Sequence, residues 1–214
     1  MTLYGYFRSS AAYRVRIALA LKGLAYENAF VHLLRDGGGQ FRPEYREMNP
    51  QAQVPSLEVN GEVLTQSLPI IQYLEEMHPE PPLLPATPLE RARVRAIALA
   101  IACEVHPLNN LRVLGYLSNE IGVDDDTRVA WYRHWIANGF AAVETMVKRL
   151  PGRGRFCNSD APGLAEICLV PQIFNARRFD CDLSAYPTLV AIDAACAELP
   201  AFRDAAPENQ PDAE

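Results

Sequence analysis

The chain has 214 residues and a mass of 23.8 kDa, enough for one large domain or two small ones. Hydrophobic residues at 49% and charged residues at 21% exclude a disordered chain. A net charge of −6, from 20 Lys+Arg against 26 Asp+Glu, excludes the general basic field of a nucleic-acid binder, so any anionic substrate needs a local basic cluster. No apolar run reaches the ~18 residues of a membrane span, and Met1-Thr2-Leu3-Tyr4 does not open a secretory signal. The five cysteines are odd in number and contain no C-x-x-C pair, so neither a disulfide framework nor a zinc site is expected. Reduced thiols and a cytoplasmic setting are the simpler expectation. Cys103, Cys168 and Cys196 sit in apolar helical contexts and read as small core residues.

Leu3 to Tyr6 reads as a first strand. Ser9 or Ser10 can cap a helix that runs to about Lys22 and stops at Gly23. Val15, Ala18 and Leu19 recur at helical spacing, giving one face that can pack on a sheet. Tyr26 to Leu33 reads as a second strand, and strand–helix–strand this close predicts a parallel pair. The Gly37-Gly38-Gly39 loop precedes a short helix over Phe41 to Met48, ended by Asn49-Pro50. Runs on either side of Asn60-Gly61 predict a hairpin, and Ser67 with Pro69 opens a helix that ends near His78-Pro79. Five prolines between 79 and 88 read as a stiff linker. The predicted organisation is 1–80, a linker at 81–87, and 88–214.

Beyond Pro88 the sequence shows helices only. Leu89 to about Glu120 gives one long helix or two, with a kink at His106-Pro107. Asp124 to Thr127 starts a helix reaching about Leu150, whose Trp131, Trp135, Ile136, Phe140, Val143 and Val147 form a core stripe. Gly163 to Asn175 and Pro187 to Leu199 follow, and the polar tail from Pro207 reads as frayed.

Taken in order, several stretches resemble a zeta-class glutathione transferase of the maleylacetoacetate isomerase family, with maleylpyruvate isomerases close beside it. They are Arg8-Ser9-Ser10-Ala11-Ala12-Tyr13-Arg14-Val15-Arg16, Asn49-Pro50 with Gln53-Val54-Pro55, Gln66-Ser67, His106-Pro107-Leu108-Asn109-Asn110, and Val170-Pro171-Gln172 through Arg178-Phe179. The resemblance implies the glutathione transferase fold: an α/β thioredoxin-like N-terminal domain with a cis-proline at Pro55, plus an all-α C-terminal domain. It also implies a homodimer, glutathione as cofactor and a small dicarboxylate as substrate. Ala11 and Tyr13 depart from the class pattern, which has a cysteine and a tryptophan there. Gly163 stands where the superfamily has a Ser or Thr cap, at some expected cost in stability.

The implied chemistry is isomerisation about a maleyl double bond by transient addition of a thiolate. The thiol must ionise near neutral pH, and a helix N-terminus with a hydroxyl donor lowers its pKa from about 8.5. The resemblance assigns that task to Ser9, with Ser10 assisting. A tyrosine mechanism through Tyr4 or Tyr6 is the alternative on this fold. Val54 would offer backbone groups to the cofactor, Gln66 and Ser67 would hold its γ-glutamyl carboxylate, and Gln53 and Gln40 its glycyl end. Arg8, Arg112 and Arg178 would hold the substrate carboxylates, since arginine suits bidentate pairing. His106, Asn109 and Asn110 would line the ligand cleft. Arg14 and Arg16 point to different sides of their helix, and one of them reads as a structural partner. Two other functions fit the same fold: a conjugating or α-halo-acid dehalogenating transferase, and a non-enzymic binding module.

Overall fold

The computed structural model describes residues 1–152 and 154–214. Contacts divide them into two compact units, Met1–Leu83 with Ala197–Glu214, and Leu84–Cys196.

The first unit holds a four-stranded sheet of β1 (Thr2–Gly5), β2 (Glu27–Phe30), β3 (Ser56–Val59) and β4 (Glu62–Thr65), in the order β2-β1-β3-β4. The predicted β1–β2 pair is parallel, and β1–β3 and β3–β4 are antiparallel. The hairpin falls at Asn60-Gly61, both with positive φ, as an Asn-Gly turn requires. Helix α1 spans Ser10–Leu21 and stops at the left-handed Gly23; α2 is Pro43–Met48, and α3 is Ser67–Met77. Leu3, Ile17, Leu19, Leu57, Ile70, Ile71 and Leu74 are its fully buried core. The Val54–Pro55 peptide is cis, at the expected turn.

Lys22 joins the two helices that frame this core. Its buried Nζ donates to Glu75 Oε2 at 2.5 Å and to the His78 and Pro81 carbonyls at 2.6 and 2.7 Å. Glu75 in turn accepts from the Leu83 amide, so the proline-rich segment is bound to the first unit as far as Leu83.

The second unit contains α4 (Pro88–Leu99), α5 (Leu111–Tyr116), α6 (Asp125–Lys148), α7 (Leu164–Arg178) and α8 (Pro187–Ala197). Between α4 and α5 the backbone widens to a π-helix over Ala100–Val105, then tightens to a 3₁₀ turn over Pro107–Asn109. The kink expected at His106-Pro107 is therefore a short run of irregular helix. Cys103 is exposed, opposite the buried Ile97, Ile101 and Val105, which corrects its expected core role; Cys168 and Cys196 are buried as expected. A Cβ on Gly139 of α6 would overlap the Val105 side chain, so only glycine lets α6 lie against this stretch. The stripe on α6 begins at Tyr132 rather than Trp131 and continues through Ile136, Phe140, Val143 and Val147. At the start of α7, Glu166 compensates for the missing cap side chain. It accepts from the Gly163 amide at 2.7 Å and, through its other oxygen, from the Cys157 amide at 2.7 Å.

The tail corrects the sequence reading. Residues 197–214 belong to the first unit, with α9 at Pro200–Arg203. Far from fraying, the tail buries Phe202, Ala205, Ala206 and Pro207 and places Asp212 on the Phe7 amide at 3.0 Å. Polar composition concealed this because the partners lie near the other end of the chain. Among the described residues no helix is long and apolar enough to cross a membrane.

Lys22→Met leaves the Glu75 carboxylate without its buried cation. A loss of about 3 kcal/mol in urea unfolding is expected. A loss under about 0.5 kcal/mol, the scale of an exposed pair, would contradict this role.

Candidate active site

The candidate residues of the first unit begin at the start of α1. Ser9 is the N-cap in extended conformation, and its Oγ accepts from the Ala12 amide at 3.2 Å. The capping bond uses an oxygen lone pair and leaves the hydroxyl proton to be donated elsewhere. The first turn of α1 carries no acidic side chain, so the positive end of the helix dipole is not neutralised there. Ser10 is buried in the same turn. Arg8 is half-buried, its guanidinium 4.7 Å from the Phe7 ring centroid, and no carboxylate lies within ion-pair distance among the described residues.

Tyr6, Phe7, Val31, Tyr45 and Val54 form one apolar cluster, which brings the loop before Ser9 against the cis-proline turn. The Gln53 carbonyl accepts from Tyr45 Oη at 2.7 Å and Asn49 Nδ2 at 2.8 Å, fixing that turn from behind. Val54, next in sequence, makes no backbone hydrogen bond within the chain among the described residues. Its N–H and C=O are open to an extended ligand. Gln40 is buried with Nε2 donating to the Leu33 carbonyl at 3.3 Å, and its Oε1 has no partner. A buried amide oxygen without a donor in the chain is open to a donor from water or from a ligand.

Gln66 has φ 69° and ψ 125°, a left-handed backbone that glycine favours. Such strain costs about 1–3 kcal/mol and marks ligand clamps. Ser67 follows as the first residue of α3, buried, with Oγ accepting from Arg14 Nη1 at 3.4 Å. Arg14 and Arg16, one of which was expected to be structural, are both buried. Arg16 donates from Nη2 to the Phe7 carbonyl at 3.0 Å and from Nε to the Ala205 carbonyl at 2.9 Å. Burial pushes its pKa down to about 10, which still leaves it charged at neutral pH.

Tyr4 does not fit the tyrosine alternative. Its hydroxyl donates to Glu58 at 2.9 Å, and that bond, with burial and the carboxylate charge, raises its pKa. Tyr6 is buried in the apolar cluster. An open groove of about 570 Å³ in this unit is lined by Tyr4, Phe30, His32, Arg42 and Tyr45 among others, and by none of the residues from Arg8 to Ser10, Val54, Gln66 or Ser67.

The second unit holds the remaining candidate residues. On α7, Arg177 is engaged with Asp193 at 2.6 Å, whereas the exposed Arg178 has no carboxylate partner among the described residues. Its guanidinium lies 5.2 Å from the Phe179 ring centroid, and that ring stacks on Tyr132 at 3.7 Å. Burial raises the Tyr132 pKa against the opposing charge of Arg178. Tyr132 thereby becomes a neighbour of the cation that the sequence reading did not single out. Asn109 is buried with Nδ2 on the Tyr132 carbonyl at 3.4 Å and Oδ1 unpartnered. Asn110 has a structural task, capping α5 by accepting from the Arg112 amide at 3.1 Å. Arg112 is exposed, and His106 is half-buried at the end of the π-helix. Among the described residues, no cluster of three or more His, Cys, Asp or Glu side chains could hold a metal ion.

Residues 3–82 match the glutathione S-transferase N-terminal domain family. A probable maleylacetoacetate isomerase of Vibrio cholerae is 51% identical over 214 residues, covering 100% of this chain and 98% of its own. The chain belongs to the maleylacetoacetate isomerase family of zeta-class glutathione transferases. The solved holo structure of a maleylpyruvate isomerase, a bacterial zeta-class enzyme, matches with TM-score 0.97 and 47% identity over 100% of both chains. A maleylacetoacetate isomerase from Methylobacterium extorquens, solved with malonate and glutathione, matches at 0.95 and 41% over the same full extent. Within this family the glutathione transferase fold expected from the motifs is the fold found.

Gln66→Gly is expected to relieve the backbone and gain about 1 kcal/mol in denaturant unfolding, whereas Gln66→Val loses stability. A loss with glycine would contradict a strained position.

Proposed function

We propose that the chain is a glutathione-dependent cis–trans isomerase of maleyl dioxo-acids, with maleylacetoacetate as first substrate and maleylpyruvate close behind. One observation carries this reading: the Ser9 hydroxyl caps α1 with its oxygen while its proton remains available, at a helix end without acids. Bound glutathione supplies a thiolate that adds reversibly to the maleyl double bond, so that the bond turns as a single bond before the thiol is restored.

The residues present fit that cofactor. Ser9 donates its proton toward the sulfur, and the α1 dipole adds to the stabilisation of negative charge. Val54 pairs with the cysteinyl backbone as an added strand. Ser67 and the Gln66 side chain receive the γ-glutamyl carboxylate at the start of α3. Gln53 and the unpartnered Gln40 oxygen serve the glycyl end.

Charge on the reacting carbons is met by arginine. Arg8 precedes Ser9 and feels the charge of Glu214 without forming an ion pair with it among the described residues, so it can hold negative charge as it develops. Arg178 and Arg112 bind the substrate carboxylates, with Asn109 and His106 beside them. The reading includes a cytoplasmic homodimer, with the five cysteines reduced.

The test follows each maleyl acid by absorbance while free thiol is titrated. Turnover should require glutathione and leave its concentration unchanged; consumption of thiol would indicate conjugation or dehalogenation instead. Ser9→Ala should lower kcat about a hundredfold. It also removes a cap worth about 1 kcal/mol, so rates are taken per folded site. Arg178→Ala should raise the substrate KM about tenfold or more. Unchanged rates in both Ser9→Ala and Arg8→Ala would overturn the mechanism.

A further inference from the structure

The residue before Arg8 is gripped from two sides by oppositely charged groups. The Phe7 amide donates to Asp212 Oδ2 at 3.0 Å, and the Phe7 carbonyl accepts from Arg16 Nη2 at 3.0 Å. A third backbone bond, from the Ser9 amide to the Tyr6 carbonyl at 3.0 Å, closes the turn. The two peptide planes on either side of Phe7 are thus fixed, and the chain enters Arg8 and Ser9 in one direction only.

The anchors of this grip are themselves held. Arg16 is 3% exposed and bonds the Ala205 carbonyl, while Tyr13 Oη donates to the Phe202 carbonyl at 3.2 Å. The tail is tied again beyond Asp212, where Glu214 Oε1 meets His32 Nε2 at 2.7 Å and Arg35 at 2.8 Å. A carboxylate on a backbone amide and a guanidinium on a carbonyl are charge-assisted bonds, stronger than neutral ones. Ser9 already caps α1, so the bonds to Phe7 act on the turn before the helix rather than on its first turn.

We infer that Asp212, acting with Arg16 through the Phe7 peptide groups, is a positioning residue that sets Arg8 and Ser9 for the reaction. The inference rests on the isomerase reading above and extends it to the tail, which touches no expected ligand. Removing the carboxylate frees the Phe7 N–H, loosens the turn and moves the Ser9 hydroxyl off its aim, while the contacts at Val54, Gln66 and Ser67 stay in place. The predicted signature is a fall in kcat with little change in the KM for glutathione.

The test compares wild type with Asp212→Ala and Asp212→Asn, in amide hydrogen exchange of the cofactor-free protein and in steady-state kinetics. Asp212→Ala should speed Phe7 amide exchange about tenfold, on the scale of one charged hydrogen bond, and lower kcat by a similar factor. Asp212→Asn keeps an acceptor oxygen and should restore most of both. Wild-type exchange in Asp212→Ala, or faster exchange with unchanged kcat, overturns the assignment. Restored protection in Asp212→Asn without restored kcat overturns it too. If the isomerase reading itself is wrong, the wild type shows no glutathione-dependent turnover, and exchange at Phe7 alone then decides whether the grip exists.

Discussion

The Ala12 amide donates to Ser9 Oγ, and this local bond sets the terms for the rest of the site. It stabilises the first turn of α1 and, by using an oxygen lone pair, leaves the hydroxyl proton free. A cap residue usually has only the first task. Here the first turn also lacks the acidic groups that favour helix starts, so the local field is left to attract an anion. The stability forgone at this turn is offset elsewhere, by the buried Lys22–Glu75 pair and by the tail packed on α1.

Under the proposed function the two units would take tasks of different charge. In the first, backbone groups and neutral side chains at Val54, Gln40 and Gln66 would suit a peptide-like ligand. In the second, Arg112 and Arg178, without carboxylate partners among the described residues, would suit a dianion. The overall charge of −6 works against any anion, so the contrast between Arg177, spent on Asp193, and Arg178, left unspent, carries more meaning than the count of basic residues.

Local features were legible in the sequence because their causes are local. The Asn60-Gly61 hairpin, the Ser9 cap, the Gly23 stop and the Asp124 cap each depend on residues within four positions. The cis-proline turn at Val54-Pro55 was legible for the same reason. What was not legible depends on distant partners or on backbone geometry. Arg16 meets a carbonyl 189 residues away and Phe7 a carboxylate 205 away, so neither the buried arginine nor the ordered tail shows in a window. Cys103 lies opposite Val94, Ile97, Ile101 and Val105 on its stretch, which an apolar neighbourhood read without its phase does not show. Tyr132 was missed because the α6 stripe was set one residue early, on the larger tryptophans.

The central claim is that the start of α1 ionises a bound thiol. Ultraviolet titration of the glutathione thiolate on the wild-type protein and on Ser9→Ala tests it most directly. The account predicts a bound-thiol pKa about one unit or more below the free value of about 8.5 in the wild type, returning toward that value in the variant. A wild-type thiol that titrates like free glutathione, or a Ser9→Ala protein with the wild-type value, would contradict it.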